Sequence, residues 1–338
     1  MTYIFFFYFL IILLLNFLFI KYDLMGSDTG LNHQVFVNKS VPLSGGIYIL
    51  FPIFLIFYEN YFFEILIFFS LFILGFLSDK DILRRAKLRF FLQLLIICFF
   101  VISIQLEVMP TRIDFIDDNF SNTYLSYFFS AFCLLILING SNFIDGLNGL
   151  LIGYILLIFF ILYKTNLLIF LDLQNQYLIF FICVLFLLII MNFSNFLFLG
   201  DGGSYSLSFV LGIVLIKIYN LYPSISPYFI ILLFWYPCFE NLFSIIRKLI
   251  IKKNPLEPDN QHLHHHLFLF LKNKFKLGSL LCNNFTSIII NLFNLFIFYI
   301  ASFNAYLTIL QLIMIFTSII FYIVSYYFLR KANLNFYS

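Results

Sequence analysis

The sequence predicts an all-α polytopic membrane protein, on three observations. Hydrophobic residues make up 63% of the 338-residue chain and charged residues only 10%, against about 25% charged in an average soluble domain. The mean hydropathy is +1.03. The apolar runs are continuous rather than alternating, which fits spanning helices of about 20 residues and not the strand period of a membrane barrel. In lipid every backbone N–H and C=O needs an internal partner, so such runs are expected to form a helical bundle. Phe accounts for 52 residues; against acyl chains Phe and Leu are nearly interchangeable, so this bias says little about function.

Eleven spans fit these runs, over about 2–20, 45–58, 61–77, 88–106, 124–139, 146–163, 167–191, 204–219, 224–246, 283–302 and 306–328. The second is short, and the seventh is interrupted near 172–176. The first run has no basic residue before Lys21, so it reads as a retained helix and not a cleaved signal peptide. Residues 1–338 read as one membrane-embedded domain, with 247–280 as its longest polar loop. No internal repeat is visible, which disfavours an inverted-repeat transporter. All but three of the 19 basic residues fall on one set of loops, the exceptions being Arg112, Lys164 and Lys217. The positive-inside rule puts that set in the cytoplasm, with the N-terminus outside and the C-terminus inside. The net charge of +3 gives no sign of a nucleic-acid partner. The five cysteines are scattered through apolar runs without a CxxC pair, so they read as buried hydrophobes.

The polar motifs all fall on the predicted cytoplasmic side. "GFLSDKDILRRAKLRFFLQ" (75–93) places Asp79 and Asp81 at the end of an apolar helix. A solvated loop accounts for its arginines, but an ionisable group at that depth points to function. "NGSNFIDGLNGL" (139–150) breaks a long apolar run with Asn142, Asp145 and Asn148 at three-residue spacing. A helix cap alone needs only one of these groups. "NFSNFLFLGDGGS" (192–204) carries Asn192 and sets Asp201 in a glycine-rich turn that opens the eighth span. Such a carboxylate suits Mg²⁺ and phosphate chemistry, and a helix N-terminus adds backbone donors for an anion. "PDNQHLHHHL" (258–267) holds four of the five histidines. His at i, i+2, i+3 and i+4 without cysteine makes a poor zinc site, and a solvated loop is the bland reading. With Arg247, Lys248, Lys252 and Lys253 it fits an anion site better. "NKSVPLSGGIYIL" (38–50) alone reads only as a helix start.

In this order, the motifs resemble those of the polyprenyl-phosphate N-acetylhexosamine-1-phosphate transferases (glycosyltransferase family 4, closer to its WecA-like branch), over about residues 38–270. "VPLSGG" resembles VPxxGG, "GFLSDKD…KLR…Q" resembles GxxDD…K.R…Q, and "NGSNFIDGLNGL" resembles NxxNFxDGxDGL. "FLGDGGS" resembles FxGDxGS, and "HLHH" resembles HxHH. The resemblance implies transfer of a sugar 1-phosphate from a UDP-sugar to undecaprenyl phosphate with release of UMP, as the first membrane step of cell-envelope polysaccharide synthesis at the bacterial inner membrane. It implies Asp79, Asp145 and Asp201 as catalytic residues, with Asp201 and Asn142 on Mg²⁺ (Mn²⁺ as a substitute). Asp79 would position or deprotonate the lipid phosphate. Asn142, Asn148, Asn192, His262, His264, His265 and Arg247 would bind substrate; His266 falls outside the family spacing. The implied partners are the UDP-sugar, the polyprenyl phosphate and membrane lipid, and a homodimer is allowed rather than required.

The chain departs from the pattern in four places. Counted back from Lys87, Lys80 stands where the family has its second Asp, with Asp81 as a neighbouring substitute. Asn148 replaces the second Asp of DGxDGL. Val37 stands where many members have His, and Leu43 where a basic residue is customary. These departures keep open a second function class, a non-catalytic transporter or scaffold for lipid-linked intermediates.

Overall fold

The computed structural model describes residues 2–25, 41–58, 61–108, 110–119, 122–168, 175–255 and 260–335. They form α1 (Thr2–Lys21), α2 (Gly45–Phe57), α3 (Phe62–Asp79), α4 (Ala86–Ser103), α5 (Asp114–Asn119), α6 (Thr123–Ile144) and α7 (Leu150–Lys164). There follow α8 (Asn175–Phe193), α9 (Gly200–Leu221), α10 (Pro227–Ile250), α11 (Leu263–Phe275), α12 (Ser279–Ser302) and α13 (Thr308–Asn335). The protein is all-α, with no β-strand among the described residues. Among the described residues, nine helices are long and apolar enough to cross a membrane, and α2 and α7 are shorter apolar helices. Together these eleven overlap the eleven predicted spans. Val37, Lys39, Pro258 and Asp259 lie outside the described residues, and the expected break near 172–176 falls at their edge, since α8 starts at Asn175.

Two helices occupy stretches that read as loops. The short α5 lies in one, and α11 lies inside the 247–280 loop. In α11 Leu263, His264, Phe268 and Leu271 are buried, a helical i, i+1, i+5, i+8 stripe that packs on α12 and α13. The density of histidine hides this stripe from a hydropathy reading.

Helix α9 is the axis of the bundle. It is buried almost all round, and it packs against α2, α3, α6 and α10. By contrast, α1 and α13 turn large apolar side chains such as Phe6, Phe17, Ile309 and Phe316 outward, as a lipid-facing surface requires. The approach of α3 to α9 is at backbone distance: a Cβ on Gly75 would stand 2.4 Å from the Gly202 nitrogen. Backbone breaks inside the bundle are repaired locally. Pro237 in α10 has no N–H for the Leu233 carbonyl four residues back, and the Tyr154 hydroxyl donates to that carbonyl at 2.8 Å.

The two ends of the bundle differ. At one end Lys217 and Glu64 form a close ion pair between α9 and α3, and Arg112 donates to the carbonyls of Pro223, Ser224 and Ile225. The other end gathers the polar motifs.

Replacing Gly75 with Ala is expected to force α3 and α9 apart and cost about 1–3 kcal/mol, the usual range for overpacking. Gly278→Ala, where nothing lies within 4 Å, should change stability by less than about 0.5 kcal/mol. Thermal unfolding of the two variants in one detergent checks the contrast.

Candidate active site

The site is built around the first turn of α9. The first N–H groups of a helix have no intrahelical acceptor. Here a side chain from another helix accepts two of them. Asp79, the last residue of α3, takes the Asp201 N–H on Oδ1 at 2.9 Å and the Gly202 N–H on Oδ2 at 3.2 Å. Gly200 makes this possible: its φ is +79°, and a Cβ there would stand 2.7 Å from Asp79 Oδ2. The carboxylate also meets the positive end of the α9 dipole.

Asp201 is thereby fixed beside Ser78 and Arg89. Its Oδ2 accepts from Ser78 Oγ at 2.6 Å, Arg89 Nη1 at 3.0 Å and Tyr205 Oη at 3.4 Å. Arg89 also donates to Ser78 Oγ. The residue beside Asp79 that faces Asp201 is therefore Ser78 and not Lys80, which is exposed in the following turn. Lys80, which the count back from Lys87 set opposite the family's second Asp, turns outward here, and Asp81 follows it in the turn with φ +58°.

The second motif joins through Ser204, whose hydroxyl donates to Asn142 Oδ1 at 2.8 Å. Asp145 ends α6. Its Oδ2 is out of solvent contact and has no hydrogen-bond partner among the described residues. Burial, then the nearby Asp201 and Asp79 carboxylates, push the Asp145 carboxyl well above the usual range. The first motif, Pro42–Gly46, braces the 197–199 turn: Phe198 N–H donates to the Pro42 carbonyl, and the Gly45 and Gly46 N–H groups donate to Phe198 and Leu199 carbonyls at 3.0 Å.

The histidine helix closes the other side. A Cβ at Gly146 would lie 3.5 Å from His264 Nε2 and 3.6 Å from His265 Nε2, and the Phe143 and His262 rings are 5.4 Å apart. His262, His264 and His265 thus stand against the Asp145 turn. His264 is fully buried, and neither ring nitrogen has a hydrogen-bond partner among the described residues. His266 turns away and packs edge-on to Tyr326 at 5.0 Å. Arg247 is engaged at the helix start, donating to the Gln261 carbonyl, to Tyr326 Oη at 3.1 Å and to Ser244 Oγ at 3.2 Å.

Two expected residues serve the scaffold of the site. Asn148 Nδ2 donates to Asn195 Oδ1 at 2.6 Å, and its N–H donates to Asn283 Oδ1 at 2.8 Å. Asn192 Oδ1 accepts from the Gly149 N–H, and its Nδ2 donates to the Leu197 carbonyl at 2.9 Å. Both amides hold the turns that flank the carboxylates. Two residues not singled out from the sequence belong here, Ser78 and Glu240, together with Arg89, which entered there only as the Arg of the KLR match. Glu240 has the clearest sequence signal, as the sole acidic residue of an otherwise apolar span.

Among the described residues, no three His, Cys, Asp or Glu side chains form a metal cage. The donor set nevertheless fits Mg²⁺. That ion needs only one or two carboxylates and completes its shell with water and substrate phosphates. Three neighbouring carboxylates, one with an orphaned buried oxygen, meet that requirement.

Burial holds the His264 imidazole well below its ordinary value, and burial together with Arg247 and Arg330 lowers His266 to about 4. The unfolded chain, with His near 6.5, then binds more protons below that pH, so this stabilisation is full above about pH 6.5 and drains as pH falls toward 4. The fall in thermal midpoint between pH 7 and 4.5 should be smaller in His266→Gln than in the parent; equal falls would contradict the assignment.

Residues 61–219, which include all three carboxylates, match the glycosyl transferase family 4. A relative from Bacillus subtilis (strain 168), named probable undecaprenyl-phosphate N-acetylglucosaminyl 1-phosphate transferase, is 28% identical over 214 residues, 60% of this chain and 56% of the relative. The undecaprenyl-phosphate alpha-N-acetylglucosaminyl 1-phosphate transferase of Thermotoga maritima is 26% identical over 229 residues, 68% of each chain. The chain thus spans little more than half the length of the Bacillus relative. The family match thus falls on the segment that builds the carboxylate cluster, and it is in that segment that the chain is similar to the glycosyl transferase family 4.

Proposed function

We propose that the protein transfers a sugar 1-phosphate, an N-acetylhexosamine 1-phosphate, from a UDP-sugar to a polyprenyl phosphate and releases UMP. The carrying observation is the convergence of Asp79, Asp145 and Asp201 with Arg89 and the His262–His265 wall at one end of a membrane bundle. The names of the two relatives support the same chemistry. In this reading that end faces the cytoplasm of a bacterial inner membrane, the product starts a cell-envelope polysaccharide, and the chain sits in the WecA-like branch.

A phosphate oxygen of the lipid attacks the β-phosphorus of the UDP-sugar. A new phosphoanhydride forms, the α–β bridge breaks, and UMP leaves with the bridging oxygen. Asp201 and Asn142 would hold Mg²⁺, with Mn²⁺ as a substitute. When bound, it neutralises phosphate charge and polarises the reacting phosphoryl group. A phosphate monoester has a second pKa near 6, so the nucleophile is already ionised at neutral pH. Asp79 then has no proton to remove; it orients Asp201 by holding the α9 N-terminus. Arg89 fixes the same carboxylate from the other side and adds a cation where two anionic substrates meet. Asp145 leaves an oxygen for the substrate or for metal-bound water. His264 and His265 supply ring N–H groups to phosphate or sugar, while Asn148, Asn192 and Arg247 hold the walls in place.

The non-catalytic alternative drew on Lys80 as a lost carboxylate. It drew also on Asn148 and Val37; against it stand Asp79, Asp145 and Asp201, which the fold gathers at one place. Asp201→Asn is expected to lower Mg²⁺-dependent UMP release from a UDP-N-acetylhexosamine, with polyprenyl phosphate present, by at least about 10²-fold, the scale of losing one electrostatic contact to the reacting centre. An undiminished rate would remove the metal assignment, and no release by the folded parent with any such donor would sink the transferase reading. Lys80→Ala, by contrast, should stay within about threefold of the parent in the same assay, as an exposed substitution away from the site.

A further inference from the structure

Glu240 is the sole acidic residue of α10, and it is completely buried. Its Oε1 lies 2.8 Å from Nδ1 of His262, and its Oε2 has no partner among the described residues. A carboxylate taken out of water is costly unless a charge or donor compensates it. Arg247, two turns along α10, is directed to the Gln261 carbonyl, Tyr326 and Ser244. The cation-capable side chain bonded to Glu240 is His262, and the Tyr322 hydroxyl also interacts with its carboxyl group. The histidine in turn sits at the N-cap of α11, yet its side chain makes no capping bond. Its ring is held by Glu240 instead.

That bond decides which ring nitrogen carries the proton. An ionised Glu240 accepts only, so with the carboxylate charged the 2.8 Å contact takes Nδ1–H as its donor. The Nε2 edge is then directed away from Glu240. The His262 ring lies parallel to that of His264, at 5.3 Å with 2° between planes, and 5.5 Å from that of His265. We propose that Glu240 is a positioning residue, which fixes His262 in its Nδ1–H form and sets that ring in the wall of the phosphate-transfer site. This rests on the transferase reading for its consequence, but the ring's proton position can be measured without any turnover.

The chain has five histidines, few enough for ring-nitrogen NMR of the full-length protein labelled with ¹⁵N-histidine. His262→Asn assigns the His262 resonances. The parent should show His262 protonated at Nδ1, and Glu240→Leu should abolish that preference. A parent ring protonated only at Nε2, or an Nδ1–H signal unmoved by Glu240→Leu, would overturn the proposal. If Glu240→Leu fails to fold, the near-isosteric Glu240→Gln should move the Nδ1–H proton upfield, and an unchanged shift is then the overturning result.

UMP release supplies the second arm. Glu240→Leu should lower kcat at least about tenfold, the scale for losing a partner that orients a working histidine. If Glu240 acts through His262, the double variant Glu240→Leu, His262→Asn should be no slower than His262→Asn alone. Losses that multiply would show that Glu240 acts by another route. No release by the parent would instead defeat the transferase reading and leave the NMR result to decide the role of Glu240.

Discussion

The N-terminus of α9 is the constraint on which the rest of the structure depends. This helix is the bundle axis, and its first turn lies where apolar helices end, with Gly200, Gly202 and Gly203 buried. Its leading N–H groups need acceptors, and Asp79 supplies two from the end of α3. For the carboxylate to reach them, α3 must lie against α9 at backbone distance, which Gly75 and Gly200 permit. One interaction thus satisfies the helix, fixes the α3–α9 approach and orients Asp201. Ser78, Arg89, Tyr205, Ser204 and Asn142 all take their places from that turn.

A second consequence is electrostatic. Gathering Asp79, Asp145 and Asp201 in one partly buried place raises the energy of every negative charge there. Helix-end dipoles and Arg89 offset part of it, and the Asp145 carboxyl holds its proton more tightly. What is left over is a demand for positive charge, the property that a phosphate-transfer site meets with a divalent ion and cationic donors. The histidine helix answers from the other side. It is itself pinned by Glu240 below, by Arg247 at its first residues and by Asn333, which donates to the His266 carbonyl at 3.0 Å.

Much of this was legible in the sequence. The eleven apolar runs gave helices because lipid leaves the backbone no other way to pair. The five polar motifs stood out because each interrupts an apolar run. Other features were not legible. Helix α11 was hidden because its buried stripe is made partly of histidine. The site-facing role of Ser78 was missed because counting from Lys87 cannot see a turn with positive φ at Asp81. Asn148 and Asn192 read as ligands, since a sequence shows an amide but not the backbone groups that occupy it.

The sequence by itself determined the helical class, the eleven apolar runs that become apolar helices, and most of the polar residues that gather at one end. Those follow from hydropathy and periodicity, which are properties of local stretches. Only the tertiary structure decided what each polar residue touches. Asp79 and Asp201 are 122 residues apart, and Glu240 and His262 stand on different helices. Their pairing is set by how closely helices pack and which backbone groups are left open, and neither is written in any one segment.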